Sequence, residues 1–309
     1  MAGVSGPSLT AAVARSGGLG LLGAARYTEP QLRKEFGEAQ QQADGKGAVG
    51  IGLMAFSNTD ILDTALDLKP HTLWLSFGDI APMAERVKAA GIKLMIQVQS
   101  VQQALEAVSM GADAIVAQST ESGGHGAGPT GTFCFVPEVV DAVAGNAART
   151  GTPAPPVLAA GGVTDGRQLA AALTLGAAGA VLGTRLVVTE ESLYPAHWKE
   201  RYVASAGANT ARTVLFDELG PINWPSGVDG RALRNRFSDA NPEHLLAKPE
   251  EVARMKADLD RGRDAADPDI SPLWCGAGVG LIHSVPPAEN VVKEIVEDAA
   301  AVIAKLAQQ

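Results

Sequence analysis

His125 stands in a position suited to catalysis. It follows Gly123 and Gly124, and all three come shortly after the apolar run at residues 114–117. A short apolar run bounded by glycine and polar residues is typical of a buried strand. Glycines let the backbone approach a ligand closely, and imidazole is the side chain that ordinarily exchanges protons near neutral pH. The pattern therefore predicts a catalytic loop at a strand exit in an α/β fold, with His125 as the reactive group.

Two glycine sites at the ends of consecutive predicted strands suit a phosphate group. Ala160-Gly161-Gly162 ends one strand, and Gly183-Thr184 ends the next. In (β/α)8 barrels the loops after the last two strands commonly hold a phosphate on backbone N–H groups, and a Cβ atom would block that approach. The threonine hydroxyl adds a donor. No GxGxxG pattern follows any predicted strand, which argues against a Rossmann domain.

Strand-like and helix-like runs alternate along the first 190 residues. This alternation predicts a parallel sheet with helical crossovers. The predicted strands cover residues 19–22, 49–54, 72–77, 93–98, 114–117, 157–160 and 180–182. These seven are one fewer than a closed (β/α)8 barrel needs. A helix is expected before the first strand, over residues 8–16, with Ser5 or Ser8 as its N-cap.

The pattern changes after residue 190. Residues 191–271 hold charged helical stretches and few strand signals, so we predict a mainly helical insertion on the substrate side of the barrel. Residues 1–190 and 272–309 would form the barrel domain, which ends in an apolar-periodic helix over residues 288–307. Glycines 276, 278 and 280, where the chain returns to the barrel, mark either a loop close to a ligand or a flexible connector.

Residues 117–125, Ala-Gln-Ser-Thr-Glu-Ser-Gly-Gly-His, resemble the histidine loop of the nitronate monooxygenases, also called 2-nitropropane dioxygenases. That family carries a version of Ala-Gln-Gly-x-Glu-Ala-Gly-Gly-His, so Ser119 and Ser122 replace its Gly and Ala. The stretch from Gly183 to Glu191 is similar to the family's Gly-Thr-Arg-x-x-x-Thr-x-Glu. The resemblance covers nearly the whole chain and implies an FMN-dependent TIM barrel.

The same resemblance implies which residues contact FMN. Relatives begin with an apolar strand that ends in Pro-Met-x-Gly, and this chain starts where that strand would end. We therefore expect either that the first barrel strand is missing from the chain or that another segment takes its place. The FMN contacts implied are Met1, Ala2, Gly3, Gly52, Gln97, Gln118, Gly124, Ala160, Gly161, Gly162, Gly183 and Thr184. The two glutamines also suit ordinary positions at strand ends.

The resemblance implies an enzyme that oxidises alkyl nitronates, or nitroalkanes, with O2 to a carbonyl compound and nitrite. His125 would bind the nitro oxygens, or act as a base when the substrate is a neutral nitroalkane. Two alternatives stay open. FMN-dependent NAD(P)H reductases of the enoyl-acyl-carrier-protein and quinone types share the barrel, but usually show Ala-Glu-Gly where residues 117–119 are Ala-Gln-Ser. An inactive flavin-binding relative is kept open by the missing strand and by Ala277, where relatives often carry Gln.

The composition argues against several other functions. The net charge is −9 and the pI is about 5.1, so neither nucleic acid nor an anionic membrane is an expected partner. No apolar run approaches the ~18–20 residues of a membrane span, and no signal peptide is recognisable. We expect a cytoplasmic monomer or homodimer whose partners are a small nitro compound and O2. Cys134 and Cys275 are predicted to be free thiols, and no residue spacing indicates a metal site.

Overall fold

The computed structural model describes residues 3–243 and 248–308 and shows an α/β fold built on a curled parallel sheet. Seven strands form this sheet: β1 Leu19–Gly23, β2 Ala48–Met54, β3 Thr72–Ser76, β4 Lys93–Val98, β5 Ala114–Gln118, β7 Val157–Ala160 and β8 Gly179–Val181. A short strand, β6 Gly124–Gly126, belongs to a second sheet. The helices before and between the strands are α1 Pro7–Arg15, α2 Glu29–Ala43, α3 Leu62–Asp67, α4 Ala81–Ala89, α5 Val101–Ser109, α6 Thr132–Thr150 and α7 Gly166–Thr174. The seven predicted strands are confirmed.

Both faces of the large sheet are buried, which explains its continuous apolar runs. In β5, Ile115 and Ala117 point outwards into the main core between the strands and the helices. Val116 points inwards, into a smaller cluster that also contains Met95 of β4 and Leu158 of β7. Successive side chains of a strand alternate between its two faces, so each strand contributes to both layers.

The sheet is not closed in the described part of the chain. Its order is β1-β2-β3-β4-β5-β7-β8, which leaves β1 and β8 as edges. Residue Ser5 lies along the free side of β1, where its hydroxyl donates to the Leu21 carbonyl (2.6 Å) and its carbonyl accepts from the Gly23 N–H (3.0 Å). The N-cap prediction was therefore wrong. Gly6 caps α1, because Pro7 starts the helix and the Ser5 side chain is bonded to the strand.

Residues 191–271 are helical at α9 Ala196–Val203, α10 Leu215–Glu218 and α11 Pro249–Asp264, which follow the short helix α8 Thr184–Val187. They also contain two strands that were not predicted, β9 Thr210–Thr213 and β10 Asp229–Leu233. Strand β10 pairs antiparallel with both β9 and β6. These strands are short and their partners lie far apart in the sequence, so no local alternation indicates them. The resulting three-stranded sheet joins the insertion to the histidine loop.

Residues 272–308 return to the barrel. After a 3-10 helix at Ala277–Leu281, helix α12 Ala288–Leu306 packs on α1 and α7. Val291 of α12 is buried in a cluster with side chains of α1. The carboxylate of Glu191 accepts a hydrogen bond from the first backbone N–H of α12 (2.9 Å). The described residues include no helix that is both long and apolar enough to cross a membrane.

Candidate active site

A cavity of about 780 Å³ lies between the carboxyl ends of the strands and the insertion. This volume falls in the range of small-molecule and cofactor sites, ~300–1,000 Å³. The lining includes the last or second-last residue of every strand in the large sheet: Gly23, Met54, Ser76, Gln97, Gln118, Ala160 and Val181. Enzymes built on such folds place their reacting groups at this end, so the cavity is the candidate active site.

His125 reaches this cavity from β6. Its backbone pairs with Gly230 of β10, and its carbonyl accepts a hydrogen bond from the amide nitrogen of Gln118 (2.9 Å). Its ring nitrogen Nε2 lies 2.8 Å from Oδ1 of Asp217, on α10. Both side chains of this pair are 12% exposed. The histidine is therefore held through its backbone by the sheet and through its ring by the insertion.

Two tryptophans from the C-terminal half of the chain pack on the His125 ring. The Trp224 indole is stacked on it, with ring centroids 3.5 Å apart and an interplanar angle of 11°. The Trp274 ring is tilted by 52° at 4.6 Å. Trp224 also contacts Phe56 and Phe77, which follow β2 and β3. These contacts restrict rotation of the imidazole and give one side of the cavity an aromatic wall.

Three glutamine amides form a buried network under the histidine loop. The side-chain carbonyl of Gln118 accepts hydrogen bonds from the amide groups of Gln97 and Gln99, both at 2.9 Å. The Gln118 amide nitrogen donates to the His125 carbonyl. Gln97 and Gln118 line the cavity, as expected for the predicted contacts, while Gln99 was not predicted. The network orients β4, β5 and the histidine loop relative to one another.

The two predicted phosphate loops both border the cavity. Gly161 and Gly162 have φ angles of +119° and +75°, in the region that favours glycine. A Cβ on Gly161 would lie 2.3 Å from the Ser119 hydroxyl oxygen. Gly183 is the N-cap of α8, and the Thr184 hydroxyl accepts a hydrogen bond from the Gly276 N–H (2.8 Å). That bond leaves the hydroxyl hydrogen of Thr184 available to a ligand.

Hydrogen bonds tie the histidine loop to the first phosphate loop. Ser119 shares a hydrogen bond with the Thr132 hydroxyl (2.7 Å), which in turn donates to the Gly161 carbonyl (2.8 Å). The Ser122 hydroxyl donates to the Ala160 carbonyl (3.2 Å). Both serines that depart from the family pattern therefore have hydrogen-bond partners in neighbouring segments, and these bonds help to fix the loops around the cavity.

The residues around the cavity fit an FMN molecule. Two buried polar atoms of lining residues, Thr10 Oγ1 and Trp74 Nε1, have no hydrogen-bond partner among the described residues, as expected where a ligand supplies one. A Cβ on Gly124 would meet nothing within 4 Å, and one on Gly52 would meet only the Leu22 carbonyl at 3.6 Å. Open space at these two glycines leaves room for a flat ring system.

Three predicted contacts lie at the start of the chain. Gly3 is exposed, and the lining of the cavity begins with Val4 and Ser5. Met1 and Ala2 lie outside the described residues. Contact of these three residues with FMN stays a prediction.

The segment that follows the insertion, from residue 272 to the 3-10 helix at Ala277–Leu281, is not a flexible connector. Gly276 and Gly278 line the cavity. A Cβ on Gly276 would lie 2.7 Å from the Glu121 carbonyl, and one on Gly278 would lie 2.7 Å from the Gly162 carbonyl. Both glycines therefore allow the segment to pack directly on the loops of the site. Next to them, Cys275 is a buried free thiol, and burial raises its pKa, so it remains protonated. Cys134, also free, is exposed.

Sequence reasoning missed Asp217, Trp224 and Trp274. Each comes from the insertion or the segment that follows it, and no motif surrounds it. Only Trp274 had a nearby signal, since it lies two residues before Gly276, where the glycine-rich stretch starts. Their importance comes from contacts with His125, which lies some 92 residues before Asp217 in the sequence.

The chain is similar to several known proteins. The profile of the family described as nitronate monooxygenase matches residues 53–298. The nitronate monooxygenase npaC of Metarhizium robertsii is 32% identical over 97% of this chain and 89% of the relative. The (3aS,4S,5R,7aS)-5-hydroxy-7a-methyl-1-oxo-octahydro-1H-indene-4-carboxyl-CoA dehydrogenase of Mycobacterium tuberculosis is 35% identical over 97% of this chain and 91% of the relative. FabK from Thermotoga maritima superposes with a TM-score of 0.85 and 29% identity, covering 100% of this chain and 93% of FabK. This chain belongs to the nitronate monooxygenase family.

Proposed function

We propose that the chain is an FMN-dependent nitronate monooxygenase, which oxidises alkyl nitronates with O2 to a carbonyl compound and nitrite. The observation that carries the proposal is the position of His125 in one cavity with the Gly161–Gly162 and Gly183–Thr184 loops. FMN, when bound, supplies the electron transfer between the nitronate and O2. Membership of the family supports the same reaction.

The residues that would hold FMN fall into two groups, one for its phosphate and one for its ring system. Gly161, Gly162, Gly183 and Thr184 would bind the phosphate, because both of their loops line the cavity and Thr184 retains a hydroxyl donor. The amides of Gln97 and Gln118 would face the ring system from the strand ends. Ala160, Gly52 and Gly124 contribute small or absent side chains that leave space for it.

His125 would bind or deprotonate the nitro substrate. As an imidazolium it would donate a hydrogen bond to the oxygens of a nitronate, and as a neutral base it would accept the α-proton of a neutral nitroalkane. Trp224 and Trp274 would exclude water from this end of the cavity. A dry environment strengthens the interaction of the imidazolium with the negatively charged nitronate.

The first experiment is anaerobic mixing of the FMN-loaded protein with ethyl nitronate, with visible absorbance as the readout. We expect bleaching of the flavin band, followed by recovery and release of nitrite when O2 is admitted. A flavin that stays oxidised with nitronate would contradict the proposal. A protein that does not retain FMN would favour the inactive relative, and bleaching by NAD(P)H would favour a reductase.

A second candidate function is a dehydrogenase that acts on a coenzyme A thioester. The 35% identity to the carboxyl-CoA dehydrogenase of Mycobacterium tuberculosis favours it. Arg26, after β1, and Arg263, on α11, also line the cavity. Arg263 is half-buried: burial lowers its pKa, Asp260 raises it, and the nearby charge of Arg26 lowers it further. Two neighbouring guanidinium groups at a cavity suit the phosphates of coenzyme A.

The two functions differ in what reduces the flavin. An acyl-CoA that bleaches the flavin anaerobically, where ethyl nitronate does not, would favour the dehydrogenase. The same protein sample, loaded with FMN to the same level, serves for both measurements.

A further inference from the structure

The structure assigns Asp217 as a positioning residue that holds neutral His125 in the Nε2–H tautomer and makes Nδ1 the proton-accepting atom. This inference rests on the proposed function for its kinetic consequence. Nε2 of His125 and Oδ1 of Asp217 are 2.8 Å apart, and both side chains are largely buried. Because a carboxylate oxygen accepts and cannot donate, the hydrogen of this bond sits on Nε2. The lone pair of the neutral ring is therefore on Nδ1.

The surroundings of the ring leave Nδ1 for a ligand. No described residue forms a hydrogen bond with Nδ1, this atom is not fully buried, and the His125 side chain borders the cavity. The stacked Trp224 ring, at 3.5 Å, leaves no space for a molecule against that face. A substrate that cannot approach across this face can meet the imidazole at its edge, where Nδ1 lies.

The second carboxylate oxygen of Asp217 takes no part in hydrogen bonding within the described residues. Its Oδ2 is buried and has no hydrogen-bond partner among the described residues. Arg263 is close enough for the Asp217 charge to act on it, but no ion pair joins the two. The carboxylate therefore keeps negative charge directed at the ring. When the imidazole gains a proton, that charge stabilises the imidazolium in a site with little water.

The chemical step is a proton transfer from carbon to nitrogen. The α C–H bond of a neutral nitroalkane breaks, and the proton forms a new N–H bond with Nδ1. The electron pair of the C–H bond moves into the nitro group, which yields the nitronate anion. Charge is conserved, because the anion forms together with the His125 imidazolium, and Asp217 faces that cation. No other reactant is required.

The kinetic test uses the FMN-loaded enzyme and the variant Asp217→Asn. An amide can donate to Nε2 and so favours the wrong tautomer. We expect kcat/KM for nitroethane to fall by about 10²–10⁴-fold, the contribution of a general base, and to fall much more than kcat/KM for preformed ethyl nitronate. The matched control is Glu218→Gln, which alters the exposed neighbour on α10 and should change neither value. Equal losses with both substrates would overturn the assignment.

A spectroscopic test does not depend on turnover. Nitrogen-15 NMR of the FMN-loaded protein with labelled histidine distinguishes the two tautomers, and the His125→Asn variant identifies the signal. We expect Nε2–H in the wild type and Nδ1–H, or a mixture, in Asp217→Asn, with FMN content and thermal unfolding unchanged. A wild-type Nδ1–H signal would overturn the inference even if the enzyme is active. Absence of nitroalkane and nitronate turnover, with the expected tautomer, would instead count against the proposed function alone.

Discussion

The backbone of Gly230 lies directly against the indole of Trp274: a Cβ at this position would be 2.2 Å from Cζ3 of that ring. The same glycine pairs with His125 across the small sheet, and Trp274 contacts the His125 ring. Because Gly230 has no Cβ, the strand β10, the Trp274 indole and the His125 imidazole can pack together.

Replacing Gly230 by alanine should displace Trp274 or separate β10 from β6. Overpacking of this kind costs about 1–3 kcal/mol, which we expect as a loss of unfolding free energy in urea. The control is Gly37→Ala in α2, where a Cβ meets nothing within 4 Å and the helix should gain up to about 1 kcal/mol. Equal stabilities of the two variants would show that the contact with Trp274 is not tight in solution.

Replacing His125 by asparagine should affect nitroalkanes more than nitronates. Asparagine can still donate a hydrogen bond to the nitro group but cannot accept the α-proton. We expect kcat/KM for nitroethane to fall by about 10²–10⁴-fold, measured by nitrite release, and turnover of ethyl nitronate to fall much less. If both substrates lose activity to the same extent, His125 does not serve as a base.

Replacing Thr184 by valine should weaken FMN binding. The change removes a hydroxyl donor and also the acceptor of the Gly276 N–H. Loss of one net hydrogen bond raises the dissociation constant by about 2–10-fold, which titration of flavin fluorescence measures. Thr174→Val, on the exposed surface of α7, is the matched control and should leave the affinity unchanged. Unaltered affinity in both variants would remove Thr184 from the phosphate site.

Replacing Arg263 by glutamine should reveal whether the cavity takes a coenzyme A thioester. Loss of a charge-assisted hydrogen bond to a phosphate should raise the inhibition constant of free coenzyme A by about tenfold or more. Arg254→Gln removes an exposed charge from the same helix, outside the cavity, and is the control. Coenzyme A that does not inhibit the wild-type enzyme would remove the support of the arginines for the second function.

The parallel sheet and the position of the site could be predicted from local patterns. Each large-sheet strand is an apolar run between glycine or polar residues, and the carboxyl ends of parallel strands share one edge. Gln97, Gln118 and the Gly161–Gly162 loop were therefore expected to be neighbours of His125, and all of them line one cavity.

Only the tertiary structure decided what surrounds the His125 ring. Asp217 and Trp224 lie about a hundred residues further along the chain, in a segment whose periodicity indicates helices and turns. Their contact with the histidine depends on the pairing of β6 with β10, which brings the insertion over the barrel. Local periodicity reports which face of an element is buried, but a pairing between short remote strands depends on the whole chain being folded. The sequence by itself thus determined the barrel strands and the histidine loop, while the folded chain determined the partner that sets the tautomer of His125.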